Sequence, residues 1–279
     1  MYSTLIGCDD LAERLDNPAW RIFDCRYDLA DKQAGHNAYR QSHIPGAVYV
    51  DLHDDLSGPP LTNRGRHPLP TDEAMQYLFS GLGINPKTQV IVYDDAGGSF
   101  AARLWWMLRH MGHAAVAVLD GGWQTWTAKG LPDSDRPETR EPDRFEPAVG
   151  NDDVVLIDQV EDYERIIDSR DPARYRGEVE TIDKVAGHIP GAINRFWKDN
   201  LQENGEFKPK QLLRQDFEQL FEDHNADEVV FYCGSGVTAC HNLLAVAHAG
   251  IGMPMLYAGS WSEWSSTPGK IVATGDEPA

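Results

Sequence analysis

The chain repeats itself once, and that constrains its architecture more than any other feature. "FDCR" at Phe23–Arg26 returns as "IDSR" at Ile167–Arg170, and "HIPGA" at His43–Ala47 returns unchanged at His188–Ala192. "VIVYD" (Val90–Asp94) returns as "VVFYC" (Val229–Cys233), and "GGWQTW" (Gly121–Trp126) as "GSWSEW" (Gly259–Trp264). The four offsets are 144, 145, 139 and 138 residues, in unbroken order, each about half of the 279-residue chain. One chance match would mean little, but four in register mean duplication. A period this long is not a solenoid repeat; it is two copies of one domain. Between the copies, Leu131–Gly150 carries four prolines and many charges, with neither helical nor strand period. It reads as a linker. The expected division is a first domain over 1–135, a linker over 136–150 and a second domain over 151–279.

Within each copy, short apolar runs alternate with helical patterns. In the second, Val154–Ile157 predicts a short strand or the start of one, and Arg165–Asp168 a strand. His188–Asn194 leads into another strand, Glu228–Tyr232 is a buried strand, and Met255–Tyr257 is the last. Apolar residues fall at helical spacing over Lys210–His224 and Val237–Ala249. Strands alternating with helices define the α/β class, here two tandem domains, each a parallel sheet flanked by helices. In such sheets sites form at the carboxyl ends of strands, and Cys233 falls at one.

The loop after Cys233 is unusual for a structural cysteine. Gly234 and Gly236 permit a tight turn, and Val237 and Thr238 begin a helix. A loop curled at a helix N-terminus turns several backbone N–H groups inward. These groups, with the hydroxyls of Ser235 and Thr238, would favour a thiolate over a thiol and hold any anion later attached to the sulfur. The plain alternative is a small buried apolar residue. The first copy argues against it. Asp94 occupies the same place there, where a position needing only a small apolar side chain would not accept a carboxylate.

The loop "CGSGVTA", the two "HIPGA" segments, "DSR" and the C-terminal "GSW" resemble the two-domain rhodanese sulfurtransferases over nearly the whole chain. The loop Gly234–Ala239 is the most specific part and resembles the 3-mercaptopyruvate form; the thiosulfate form commonly carries Arg and Lys at the places of Gly234 and Ser235. The resemblance implies a catalytic second domain and a non-catalytic first one, in agreement with Asp94. It implies that Cys233 carries sulfur as a persulfide, with Gly234, Gly236, Val237 and Thr238 lining the donor site. It assigns Arg174, in "DSRDPARYRG", to the donor's anion; read alone, Arg174 is a solvated arginine. The family's mercaptopyruvate members have a second arginine before "HIPG". Here "GEVETIDKVAG" is shorter and offers Asp183 and Lys184, so Lys184 is the candidate second cation. "GRHPLP" (Gly65–Pro70) resembles the segment whose histidine acts through the loop serine. His67 is thereby a candidate proton carrier with Ser235 as relay. Its orienting carboxylate would fall near His53, which leaves Asp51 or Asp54. Arg64 and Arg66 read as a solvated pair, with a contribution to a positive cleft as the alternative.

Composition narrows the partners. A net charge of −19 disfavours nucleic acid and anionic membranes, while a small anionic sulfur donor remains compatible with a local positive pocket. The acceptor would be cyanide or a thiol, including a thiol on a protein. Four cysteines (Cys8, Cys25, Cys233, Cys240) are no disulfide framework and point to a reducing compartment. No apolar run approaches a membrane span, and "MYSTLIGCDDLAERL" has no signal-peptide pattern, so the expected location is the cytoplasm. No metal or organic cofactor is expected: Cys240, His241 and His248 do not match zinc-ligand spacing.

Asp24 and Asp168, present in both copies, read as structural, bonded to backbone or to Arg26 and Arg170. Trp123, Trp126, Trp261 and Trp264 read as packing a helix onto each sheet. Three rival functions fit less well. A cysteine phosphatase of related fold needs an arginine at the loop's end, where Ala239 and Cys240 stand. A serine hydrolase at Ser99 would need the serine closer to Tyr93. A non-enzymatic sulfur carrier or interaction module would load Cys233 but turn over no small donor.

Overall fold

A computed structural model describes residues 1–59, 64–148 and 152–276; Gly150, Asn151 and Ala279, which bound the expected linker and second domain, lie outside them. Contacts divide the chain into two units. One holds 1–58, 70–151 and 201–207, the other 59–69, 152–200 and 208–279. Two short segments therefore belong to the opposite unit from the one that chain order suggests, and His67 lies in the second.

The first unit comprises β1 (Leu5–Ile6), α1 (Cys8–Ala12), β2 (Trp20–Asp24), α2 (Ala34–Gln41), β3 (Ala47–Tyr49), α3 (Asp72–Gly81), β4 (Gln89–Tyr93), α4 (Ala101–His110), β5 (Val116–Leu119) and α5 (Gly122–Ala128). Its sheet runs β1-β5-β4-β2-β3, all parallel. Every residue of β4 is buried, as its unbroken apolar run requires of a central parallel strand. The stretch 136–148 forms no helix or strand, yet it packs onto this unit. Glu138 donates its N–H to Tyr39 Oη at 2.9 Å, Ala148 donates to the Met111 carbonyl at 3.0 Å, and Phe145 is buried against Phe79.

The second unit comprises β6 (Arg165–Asp168), α6 (Pro172–Tyr175), β7 (Ala192–Asn194), α7 (Lys210–Phe221), β8 (Val229–Tyr232), α8 (Ala239–Ala249), β9 (Met255–Leu256) and α9 (Ser260–Trp264). Its parallel sheet runs β7-β6-β8-β9. Val154 adds a single parallel bridge to Leu256 rather than the strand expected over 154–157, because β9 offers only two residues to pair with. Helix α7 buries Leu213, Phe217 and Phe221, one side chain per turn, and exposes most of its polar residues together with Leu212. Helix α8 is buried almost all round.

The repeated motifs do the same work twice. In "FDCR" and "IDSR" the arginine forks onto the aspartate two residues before it. Arg26 meets Asp24 at 2.7–3.0 Å and Arg170 meets Asp168 at 2.6–3.0 Å, all four buried. Each guanidinium lies over a tryptophan, Trp123 at 4.7 Å and Trp261 at 4.6 Å. In "HIPGA" the histidine stacks on a tyrosine, and that tyrosine's hydroxyl donates to the motif's alanine carbonyl. The isoleucine N–H donates to the last tyrosine of the central strand, Tyr93 or Tyr232. Trp126, Trp261 and Trp264 are fully buried, while Trp123 is half-buried. Among the described residues no helix is long and apolar enough to cross a membrane.

Candidate active site

Cys233 is the first residue after β8 and is buried, 2% exposed. The loop after it turns at Gly236, with φ +75, and runs into α8 through the N-cap Thr238. A Cβ at 236 would stand 2.3 Å from the Ala258 carbonyl oxygen, so the close approach and the dihedral both demand glycine. The backbone of Cys233 is pinned by α9. Its N–H donates to Ser260 Oγ at 3.1 Å, and its carbonyl accepts the Trp261 N–H at 3.0 Å. Ser260 holds φ +56, a region few non-glycine residues adopt, and its hydroxyl donates to the Tyr257 carbonyl at 2.9 Å. The first unit has Gly122 at that place, with φ +55.

The first unit shows what a loop of this design does with an anion. The Asp94 carboxylate accepts four backbone N–H groups, each at 2.8 Å: Ala96 and Gly98 on one oxygen, Phe100 and Ala101 on the other. The side chain is fully buried; burial pushes its carboxyl up while the four donors pull it down. Register between the copies sets Ser235, Val237, Ala239 and Cys240 at the corresponding positions of the second loop. Of these, the Cys240 N–H donates to the Val237 carbonyl at 3.1 Å, where its counterpart Ala101 donates to Asp94.

His67 Nδ1 lies 2.8 Å from Ser235 Oγ, and both residues are 7% exposed. Asp51 spends its carboxylate on its own turn, accepting the N–H groups of His53 at 2.7 Å and Asp54 at 3.0 Å and the Tyr49 hydroxyl at 3.0 Å. Asp54 is exposed.

Arg174, on α6, forks onto Glu180 through Nε at 3.1 Å and Nη2 at 2.8 Å, and reaches Asp183 at 3.3 Å. Arg66 forms a close ion pair with Asp183. Burial raises the Asp183 carboxyl, against the pull of Arg66. Burial also opposes the Glu180 carboxylate, but the N–H groups of Asp183 and Ile182 together with Arg174 outweigh it and lower its pKa. Both arginines converge on Gly234: a Cβ there would meet Arg66 Nη2 at 3.1 Å and Arg174 Nη1 at 3.5 Å. Lys184, the expected second cation, is exposed, and the second cation beside Gly234 is Arg66. Sequence alone reads Arg64 and Arg66 as a solvated pair, with a contribution to a positive cleft as the alternative; Arg64 is exposed and Arg66 lies beside Gly234. The available signal was adjacency, since Arg66 immediately precedes His67.

The other thiols are poorly placed for nucleophilic work. Burial pushes Cys8 up to about 11, and burial with the nearby Asp24 and Asp94 carboxylates pushes Cys25 well above the ordinary range. Cys240 is buried in α8, its thiol donating to the Gly236 carbonyl at 3.4 Å. Beside it, His241 Nδ1 faces the Asn200 amide at 3.2 Å. Among the described residues no three His, Cys, Asp or Glu side chains gather as a metal site.

Comparison with known proteins agrees with this architecture. The rhodanese-like domain matches twice, over residues 8–129 and 137–267. A protein of Pseudomonas aeruginosa called "Probable 3-mercaptopyruvate sulfurtransferase" is 43% identical over 282 residues, 98% of each chain. The thiosulfate sulfurtransferase of Mus musculus is 32% identical over 287 residues, 95% of this chain and 92% of that one. Among solved structures, the 3-mercaptopyruvate sulfurtransferase from Leishmania major superposes with a TM-score of 0.83 at 32% identity, covering 94% of this chain and 74% of the other. The chain belongs to the rhodanese family, with two copies of its domain in tandem.

Proposed function

We propose that Cys233 is the sulfur-carrying nucleophile and that 3-mercaptopyruvate is the preferred donor, with thiosulfate also used. The enzyme is a sulfurtransferase, the class to which its curated relatives belong. The observation that carries the nucleophile assignment is the pairing of loops: where the first unit buries a carboxylate on four N–H groups, the second presents a thiol. A persulfide lengthens that side chain by about 2 Å, which brings its terminal sulfur toward the depth at which a carboxylate's oxygens lie.

With 3-mercaptopyruvate, the Cys233 thiolate attacks the donor sulfur. The Sγ–S bond forms, the S–C3 bond breaks, and its electron pair passes to C3 as the enolate of pyruvate. The proton of the donor thiol, passed through Ser235 and His67, ends on C3. Pyruvate leaves and the persulfide anion stays. Thiosulfate needs no proton: the same attack on its outer sulfur expels sulfite. Cyanide then removes the terminal sulfur as thiocyanate and restores the thiolate, and a thiol acceptor, including one on a protein, serves equally. Donor departure before acceptor attack makes the kinetics ping-pong. Free thiols on all four cysteines suit a reducing compartment, and we place the enzyme in the cytoplasm.

The difference in proton demand supplies the test. Positioned proton transfer contributes about 10²–10⁴-fold. His67→Gln should lower kcat with 3-mercaptopyruvate by about a hundredfold and with thiosulfate by less than about threefold. Wild-type kcat/KM should favour 3-mercaptopyruvate. Equal losses for the two donors would remove the proton role from His67, and a wild-type preference for thiosulfate by about tenfold would overturn the donor assignment.

A further inference from the structure

We propose that Arg66 is the second guanidinium of the donor site and that, with Arg174, it selects donors carrying a carboxylate. This rests on the sulfurtransferase reading above.

Three observations converge on it. First, the ends of both arginines lie over Gly234, the residue after the nucleophile, and the three atoms nearest a Cβ built there are Arg66 Nη2, Arg174 Nη1 and Arg174 Nη2. Gly234 leaves free the space that these two side chains use; a larger residue at 234 would displace Arg66. Second, each guanidinium is held from behind. Glu180 takes Nε and Nη2 of Arg174, and Asp183 takes Nη1 of Arg66, so Nη1 of Arg174 and Nη2 of Arg66 are turned to the loop. Third, the segment that carries Arg66 is anchored at the site. The Arg66 N–H donates to Ser262 Oγ at 3.1 Å, and His67, the next residue, meets Ser235. Gly65, with φ +80, sits where a Cβ would be 2.7 Å from the Gly259 carbonyl oxygen. One short stretch thus delivers a cation and a histidine to the same loop.

The charges settle which anion fits. Arg66, Arg174 and Arg170, which reaches Glu180 at 3.6 Å, are balanced by Asp183, Glu180 and Asp168, so the cluster is neutral before a donor enters. A monoanion leaves it one charge in excess; the thiosulfate dianion leaves it two, in a half-buried setting where excess charge is costly. A guanidinium also presents parallel N–H groups that match the plane of a carboxylate. Lysine supplies the charge without that fork.

The test compares 3-mercaptopyruvate with its uncharged methyl ester, reading the second-order rate of persulfide formation on Cys233 in single turnovers. Arg66→Gln should lower the rate for the acid about tenfold or more, equivalent to about 1.4 kcal/mol, mainly through weaker binding. The rate for the ester should stay within about twofold, and Arg66→Lys should fall between. Arg66 is partly exposed, so the fold should tolerate both changes, checked by circular dichroism. If the glutamine variant does not fold, the acid-to-ester ratio of the lysine variant decides. An unchanged ratio in a folded variant, or equal loss for both compounds, overturns the role of Arg66. Wild-type protein that takes sulfur from neither compound nor thiosulfate would overturn the sulfurtransferase reading itself, and this proposal with it.

Discussion

Replacing Ser260 separates two effects that the structure combines. Its hydroxyl accepts the N–H of Cys233 at 3.1 Å and donates to the Tyr257 carbonyl at 2.9 Å, all within the buried interior. Its backbone stands at φ +56, where the first unit has Gly122. Ser260→Ala removes both hydrogen bonds, strands a buried N–H, and keeps the strained dihedral. The expected loss is about 2–3 kcal/mol of stability. Ser260→Gly removes the same bonds but relieves about 1–2 kcal/mol of left-handed strain. Glycine's extra freedom in the unfolded chain takes back about 0.5–1 kcal/mol. The glycine variant should therefore lie up to about 1.5 kcal/mol above the alanine variant, and both below wild type. Denaturant unfolding measures the order. Both variants leave the Cys233 N–H without its acceptor, so both should form persulfide more slowly, by about tenfold and by similar factors. Alanine as stable as wild type, or glycine less stable than alanine, would refute the reasoning. Activity that tracked stability rather than the hydrogen bond would refute the positioning role.

Asp94→Ala leaves four N–H groups without an acceptor, those of Gly98 and Ala101 buried and those of Ala96 and Phe100 half-buried, and should destabilise the first unit by about 3–5 kcal/mol, whereas Asp94→Asn, keeping one acceptor oxygen, should cost about half that; thermal unfolding gives the comparison. Asp120 has its carboxyl pushed up to about 6, first by burial and then by Glu206, while its oxygen accepts the Phe207 N–H at 2.8 Å. A folded pKa above the unfolded one means that the contribution of Asp120 to stability is greatest below the unfolded value and is lost as pH rises through about 6. Asp120→Asn keeps an acceptor and should gain up to about 3 kcal/mol at pH 7.5, with the gain shrinking toward zero near pH 4; a gain independent of pH would contradict burial of the charge as its cause.

Much of this architecture is written locally, and the remainder depends on distant contacts. Arg165–Asp168 is a strand over those same residues, and the strand expected over Glu228–Tyr232 starts one residue later, at Val229. Both are central parallel strands; burial on two faces leaves Val229–Tyr232 a continuous apolar run, while in the other Ile166 and Ile167 lie between Arg165 and Asp168. The duplicated motifs were legible because each closes its own small hydrogen-bonded or ion-paired unit, as Arg26 does with Asp24 and Arg170 with Asp168. Val154 makes only one bridge because strand length is set by the partner, β9, and not by its own side chains. Gly65, Arg66 and His67 join the second unit through Gly259, Ser262 and Ser235, from 168 to 196 positions away in the chain, and no periodicity records that. For Arg66 the sequence leaves a solvated pair and a positive cleft both open for the same reason. Sequence shows an arginine beside a histidine, while its partner Asp183 and its approach to Gly234 exist only in the folded chain.

The central claim is that sulfur resides on Cys233, and intact-mass spectrometry after exposure to donor tests it most directly. Wild-type protein treated with 3-mercaptopyruvate or thiosulfate and freed of excess donor should gain the mass of one sulfur atom, and cyanide should remove it. Cys233→Ser should gain nothing, while Cys8→Ser, Cys25→Ser and Cys240→Ser should each still load. A Cys233→Ser protein that takes up sulfur, or a Cys25→Ser protein that does not, would contradict the account.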